Sequence, residues 1–475
     1  MYISKNKHMK NIIKRSVQLL SGIILFASCS KNFIEKQPFD SLPDEEAIVD
    51  ESSMENAVSG MYANLRAVGA YGRDMPVIGD VQSDNAFIEA SNSGRYIANY
   101  QFNFTSANDE YTDIWNKSYT TILRANRIID ADISGGDVPL LKAQAYAVRG
   151  LMYFKLVNIY ARPYTDNPDG AGVPVILHYD PYTQPERNTV KEVYAQIISD
   201  LEQGFATADG YSNSITLSKY AIEGLLARAY LYMGDKAKAK AAAVDVINNS
   251  EFSLVGADSY NDFWKDAGVH TDGVETMFEV DVDLINNNGS DDFSGIYADN
   301  YQDIYCTQEL YNLYSPTDVR ASVLIPDYTK AGVPAVIVYK FPNAISTKDR
   351  DNIKVIRLSE VYLIAAEASL PGNETDARNY LNAVAVTRDP DFTGYTSSGN
   401  ELLEDIITER RKELAFEGDR FYDLNRLKRA ITREADPASI PGPLQINYDN
   451  YHRVAPIPLS ELQANPNIDQ NPGYQ

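Results

Sequence analysis

Residues 409–426 read ERRKELAFEGDRFYDLNR. Helical spacing puts Glu409, Glu413 and Glu417 at i, i+4 and i+8 on one face, with Arg410, Arg411 and Lys412 between them. Leu414 and Phe416 supply an apolar side, and Gly418 stands where a helix can end in a left-handed residue. A second helical turn follows with Arg420, Asp423 and Arg426 at i, i+3 and i+6. So much paired charge beside apolar residues reads first as Glu–Arg pairs that tie a helical hairpin together, and only second as an acid/base site. Exposed pairs of this kind contribute ~0.3–0.5 kcal/mol each, whereas bidentate, partly buried Arg–carboxylate pairs contribute more.

Two further stretches flank this one. IRLSEVYLIAAEA spans 356–368, and the chain closes with APIPLSELQANPNIDQNPGYQ from 455. Together the three resemble the E-R-R-x-E-L-x-F-E-G-x-R-x-x-D-L-x-R motif, the I-R-L-A-E-V-Y-L-I-x-A-E-A helix and the P-I-P-x-x-E-L...Q-N-P-G-Y ending of SusD/RagB-type outer-membrane lipoproteins of Bacteroidetes. KAQAYAVRGLMYFKLVNIYARPY (142–164) is similar to that family's A-x-A-x-x-R-A-x-x-Y-F-x-L-V helix. The resemblance implies a non-catalytic surface lipoprotein that binds glycans. Its helical scaffold would meet a SusC-like TonB-dependent transporter barrel, and its loops the ligand. Some members capture peptides instead. The aromatic residues that bind ligand in the family are not part of the matched motifs, so the resemblance assigns no site residue.

The N-terminus reads as an address. Lys5, Lys7, Lys10, Lys14 and Arg15 precede the apolar run SVQLLSGIILFAS at 16–28, which has signal-peptide length and is too short to span a bilayer. MKNIIKRS from Met9 also makes a conventional basic opening. Phe26-Ala27-Ser28 before Cys29 resembles a bacterial lipobox, with Phe26 looser than the usual Leu. This makes Cys29 the expected lipidation site. A plain secretory leader with an incidental Cys is the alternative. Acyl chains on Cys29 would supply the anchor at ~0.8 kcal/mol per buried methylene. The expected organisation is a signal peptide at 1–28, a lipidated tether at 29–50 and a single globular domain at 51–475.

Composition narrows the partners. The formal charge is −23, and removing the basic leader makes the balance more negative still. That field repels nucleic acid and anionic lipid and disfavours sulfated or uronate-rich ligands. A 44% hydrophobic content allows a large core. Only Cys29 and Cys306 are present, so no disulfide framework exists, and Cys306 reads as a buried free thiol.

The body reads as paired helices. Residues 115–130 and 142–164 carry apolar residues at helical spacing, and the second is apolar on two faces. Thr189 and Glu192 form a capping box. Residues 221–249 and 359–384 each repeat a tetratricopeptide-like grammar, with turns at Gly234-Asp235 and Gly372. The expected fold is mainly α: a tetratricopeptide-like scaffold of helix pairs with a loop-rich lobe containing a few short strands. That lobe would come from insertions near 70–109 and 251–350, with VETMFEVDVD (274–283) and AVIVYKF (335–341) as its strands.

Chemistry is sparse in the sequence. His8, His178, His270 and His452 are scattered without metal-ligand spacing, and no HExxH, GxSxG or phosphate loop occurs. The loop DVDLINNNGSDD (281–292) is rich in oxygen ligands and open to calcium. It lacks the glycine of an EF-hand, and a solvated turn is the simpler reading, so no cofactor is expected. A paired-carboxylate hydrolase stays open as an alternative, because its two acids can be distant in sequence. So does a pure scaffold without small ligand.

Tyrosine is the unusual residue, with 33 copies against 2 Trp. Its ring presents a flat apolar face to sugar C–H groups and a hydroxyl that bonds. In the insertions, Tyr71, Arg73, Tyr96, Tyr100, Tyr297 and Tyr301 are the candidate glycan-binding residues. The competing reading makes Tyr297, Tyr301 and Tyr305, spaced by four, one buried face of a helix.

Overall fold

The computed structural model describes residues 48–298, 300–347 and 349–474. The leader, Cys29 and most of the tether lie outside these residues. Asp50–Gln475 form one compact unit. It opens with α1 (Glu51–Leu65), whose N-cap Asp50 accepts from the Ser53 backbone N–H at 2.8 Å. The first insertion then supplies α2 (Asp74–Val81), strand β1 (Ala86–Ile88) and the short α3 (Ile97–Gln101).

The scaffold begins at α4 (Asp109–Asp130) and α5 (Val138–Tyr160). Helix α5 buries residues around most of its circumference, because α4 packs on one side and α6 (Val190–Thr207) on another. The capping box at the start of α6 forms as the sequence reads. Thr189 Oγ1 accepts from the Glu192 N–H at 3.2 Å, and Glu192 Oε2 accepts from the Thr189 N–H at 2.8 Å.

Helices α7 (Lys219–Met233) and α8 (Lys236–Asn249) form the next pair. Gly234 closes α7 in the left-handed region, φ +79°, and Asp235 caps α8 through the Lys238 N–H at 3.1 Å.

The second insertion carries α9 (Tyr260–Lys265), β2 (Thr276–Val280), α10 (Phe293–Tyr297), β3 (Ile304–Cys306), α11 (Gln308–Tyr311), β4 (Leu324–Tyr328), β5 (Pro334–Val338) and β6 (Ile353–Arg357). Strands β2 and β5 are the two expected from sequence. The antiparallel order β1-β3-β5-β4 joins the two insertions in one sheet, with Phe87 opposite Tyr305. Tyr297, Tyr301 and Tyr305 do not share a helix. Helix α10 ends at Tyr297, Gln302 sits at φ +44°, and Tyr305 belongs to β3.

The scaffold resumes with α12 (Leu358–Ala368), α13 (Glu374–Arg388), α14 (Gly399–Glu413) and α15 (Arg420–Arg426). Leu363, Ala366, Ala377, Leu381, Leu402 and Ile406 pack α12, α13 and α14 into one apolar cluster. Helix α12 also packs on α7 and α8, so helix pairs far apart in sequence stack directly. Strands β7 (Ile431–Thr432) and β8 (Gln445–Ile446) and helix α16 (Leu459–Ala464) complete the chain. Among the described residues no helix is long and apolar enough to cross a membrane.

The stretch 409–426 lies at the junction of scaffold and lobe. Helix α14 stops at Glu413 rather than running on to Gly418, and Phe416 and Gly418 both take positive φ, +64° and +84°. Glu409 and Glu413 are nonetheless buried, Glu417 is partly so with its side chain 7% exposed, and the three reach beyond a helical hairpin. Glu413 accepts from Arg320 at 3.1 Å, Arg357 at 2.9 Å and Arg388 at 3.0 Å. Glu417 accepts from Arg357 at 2.7 Å and from Lys340 at 2.6 Å. Glu275, just before β2, bonds Arg357 and Arg388, each at 2.9 Å. A second layer joins Arg410 to Glu360 at 3.0 Å and to Asp423 at 2.7 Å, and Arg426 to Glu367 at 2.6 Å. Burial would raise the Glu360 carboxyl, but Arg228 and Arg410 outweigh it and hold it at about 2. These charges come from helices, strand ends and loops alike, so the network fixes the lobe to the scaffold.

Candidate functional site

The lobe gathers polar groups where residues 73–74, 93–96 and 290–303 converge. Arg73 is the N-cap of α2, and its Nε donates to the Tyr96 hydroxyl at 2.8 Å and to Asp74 at 3.2 Å. The Tyr96 hydroxyl donates to the same Asp74 oxygen. Burial lifts the Asp74 carboxyl to about 6, against the pull of Arg73 and Tyr96. Arg73 Nη1 reaches outward to Asp291 at 2.5 Å, and Arg95 Nη2 meets the same carboxylate oxygen at 3.1 Å.

Arg95 covers Tyr301, with its guanidinium carbon 3.7 Å from the ring centroid. Beside it, the Ser93 backbone N–H donates to Asp303 at 3.1 Å, and the Ser93 hydroxyl bonds the same carboxylate. Arg95, Asp291 and Tyr301 are partly exposed, and Ser93 and Gly94 are exposed. The result is a cation–π pair of Arg95 and Tyr301, linked through Asp291 to Arg73 and rimmed by carboxylate and hydroxyl groups. Arg95 occupies one face of the Tyr301 ring, and the partly exposed guanidinium, carboxylate and hydroxyl groups offer donors and acceptors to a hydroxyl-rich ligand.

The six residues singled out by sequence divide sharply. Arg73 and Tyr301 lie in this cluster at partly exposed positions. Tyr96 joins it from below, buried to 2% exposure, and presents no ring face to solvent. Tyr71, Tyr100 and Tyr297 are core residues, which corrects the reading of them as a platform. The Tyr71 ring lies 5.4 Å from Lys155 Nζ, inside the scaffold. Tyr100 packs under Arg433, 4.4 Å from the ring centroid, and its hydroxyl meets Ser439 at 2.9 Å. Tyr297 is enclosed by Phe293, Phe341 and Phe416, and its hydroxyl donates to buried Asp80 at 2.7 Å. These rings are large apolar bodies: the Tyr100 and Tyr297 hydroxyls found partners inside, while the Tyr71 hydroxyl is buried without one among the described residues.

Sequence reading missed Arg95, Asp291, Ser93 and Asp303. Asp291 lies in the oxygen-rich loop 281–292, where its carboxylate is taken by two arginines. In the same loop, Asp283 accepts the backbone N–H groups of Ile285 and Asn286 at 2.6 and 2.7 Å, as a closed turn does. Among the described residues no group of three or more His, Cys, Asp and Glu side chains converges to hold a metal ion. Cys306 is buried, and burial pushes its thiol up, away from the reactive thiolate.

Comparison with known proteins places this architecture. Residues 328–474 match the model described as the SusD family, and residues 32–231 match one described as starch-binding associating with outer membrane. A SusD superfamily protein from Bacteroides vulgatus is 30% identical with a TM-score of 0.83, over 90% of this chain and 99% of that one. Another from Bacteroides thetaiotaomicron is 29% identical with a TM-score of 0.82, over 89% and 100%. SusD-like protein P2 of Formosa agariphila is 26% identical over 97% of this chain and all of that protein. With motifs, helix-pair fold and full-length similarity in agreement, the chain belongs to the SusD family.

Proposed function

We propose that this protein is a cell-surface lipoprotein that captures neutral oligo- or polysaccharide and passes it to a SusC-like TonB-dependent transporter, doing no chemistry on the glycan itself. The observation that carries the reading is the Arg95–Tyr301 stack, held by Arg73 and Asp291 on the lobe. Its partly exposed aromatic and guanidinium groups, with donors and acceptors beside them, suit a hydroxyl-rich ligand. The family description of starch binding and outer-membrane association supports both ligand class and location. Each hydrogen bond to a sugar hydroxyl contributes only ~0.5–1.5 kcal/mol net, so one such site works best on a repeating polymer.

In this reading Cys29 carries the lipid, residues 29–50 are the tether, and residues 51–475 form the single binding domain. The partner and anchor are tested together. The tagged chain is expected to co-purify a TonB-dependent barrel from detergent-solubilised outer membrane and to bind labelled polysaccharide on intact cells. Cys29→Ser should release it from the membrane and abolish both signals. A pull-down without a barrel overturns the delivery role, and a Cys29→Ser protein that stays membrane-bound in cells lacking that barrel overturns the lipid anchor.

A further inference from the structure

A cavity lies away from the Arg95–Tyr301 stack, between α4, the segment 174–185 and α16. It has a volume of about 380 Å³, within the range of small-molecule sites. Tyr119 of α4, partly exposed, lines one wall, backed by Trp115, which is buried to 3% exposure with ring centroids 4.8 Å apart. The polar ends of both rings are already tied. The Trp115 indole N–H donates to Glu461 at 3.2 Å, and the Tyr119 hydroxyl donates to the Pro174 carbonyl at 2.9 Å. What the Tyr119 ring has left to offer a ligand is carbon surface. Prolines at 174, 181 and 185 add walls with no N–H to satisfy.

The cavity is built, not improvised. Asn126 Nδ2 holds the carbonyls of Ile176 and His178 at 2.9 and 3.1 Å, and the Tyr153 hydroxyl donates to Ile176 at 2.7 Å. At the other end, Gln184 donates to the Ala464 carbonyl at 2.6 Å, and Asn465 donates to that of Pro185 at 2.9 Å. Tyr182, between the lining residues Pro181 and Thr183, is 89% exposed.

The lining also selects by charge. Asp180 and Glu461 contribute carboxylates, Thr120 and Thr183 hydroxyls and Asn116 an amide, while no Lys, Arg or His takes part. Anions are therefore disfavoured, and a purely apolar ligand would strip water from two carboxylates without replacing it. A neutral ring with C–H faces and several hydroxyls satisfies both the aromatic wall and the acceptors.

We infer that this cavity is a second carbohydrate site, taking a neutral mono- or disaccharide and separate from the Arg95–Tyr301 stack. The inference deepens the glycan reading and rests on it for the source of the ligand, not for the chemistry of the walls.

Saturation-transfer NMR on the mature chain from Ser30 tests it, with maltose, cellobiose and laminaribiose as probes and choline as a cationic control. Thr120→Trp fills the cavity from α4, with Asn116→Trp as a second plug should the first fail to fold. The double variant Arg95→Ala/Tyr301→Ala removes the other site. The expected result is transfer to at least one disaccharide that persists in the double variant, falls to background with the plug, and weakens several-fold in Tyr182→Ala. Transfer that survives the plug, that vanishes in the double variant, or that reaches choline and no sugar overturns the second site. Absence of transfer to all three disaccharides overturns it too. Retardation of the same protein by a polysaccharide gel, lost with Arg95 and Tyr301, would show that the first reading stands when the second falls.

Discussion

The Arg388 guanidinium lies 3.0 Å from the Glu413 carboxylate, and neither side chain has exposed surface. Arg320 and Arg357 crowd the same carboxylate, and together they hold it well below the usual carboxylate range despite burial. Charges so placed are costly alone and tolerable only as a set.

Glu413→Ala should therefore destabilise the fold by about 3–5 kcal/mol, because it leaves three buried guanidinium groups undercompensated. Urea unfolding at neutral pH measures this. A cost near that of an exposed pair, below ~1 kcal/mol, would show that the network does not bind lobe to scaffold.

Stability should depend on pH in two opposed ways. Burial raises the Asp80 carboxyl from 3.8 to about 8 in the folded state. Its contribution is fully present below pH 3.8 and is lost as pH rises through about 8. Asp80→Asn removes this dependence while keeping an acceptor for Tyr297. The variant should gain on the wild type by up to about 1.4 kcal/mol per pH unit across that window. Glu360, held at about 2 against 4.5, acts with the other sign: its contribution is present above pH 4.5 and is lost as pH falls toward 2. Thermal melts of both proteins from pH 4 to 8 decide the first point. Parallel curves would contradict it.

Tyr96→Phe separates support from contact. The variant loses the hydroxyl that joins Arg73 to Asp74 and should cost about 1–3 kcal/mol as a buried carboxylate loses a partner. Because the ring itself is buried, retention by a polysaccharide gel should survive. Melting and gel retardation on one sample test both parts, and lost retardation with an unchanged melting temperature would make Tyr96 a contact residue after all.

Gly418→Ala tests the turn after α14. The residue sits at φ +84°, and an added Cβ would fall 2.4 Å from the Pro76 Cα. Strain and clash act together, so the loss should exceed the ~1 kcal/mol of an average substitution. Denaturant unfolding measures it, and a neutral result would mean that the approach of α2 to this turn relaxes freely.

What was legible in the sequence was what is local. The Thr189–Glu192 capping box, the Gly234-Asp235 turn and strands β2 and β5 are each fixed by a few neighbouring residues. The scaffold followed from helical spacing and from three motifs in order. The site was harder to read because its partners are remote: Arg95 meets Asp291 across 196 positions. The tyrosines misled for the same reason. Nothing near Tyr297 in the chain announces that Phe341 and Phe416 will enclose it, nor that Asp80 will take its hydroxyl. Tyrosine count reported aromatic supply, and tertiary packing decided which rings stayed outside.

The most direct test of the central claim is native gel electrophoresis of the mature chain from Ser30 in gels cast with neutral plant, fungal, microbial and host polysaccharides. Retardation by at least one polysaccharide class is expected, strongly reduced in Arg95→Ala/Tyr301→Ala while the melting temperature stays close to that of the wild type. Free migration in every gel, or retardation that persists undiminished in the double variant, would contradict it.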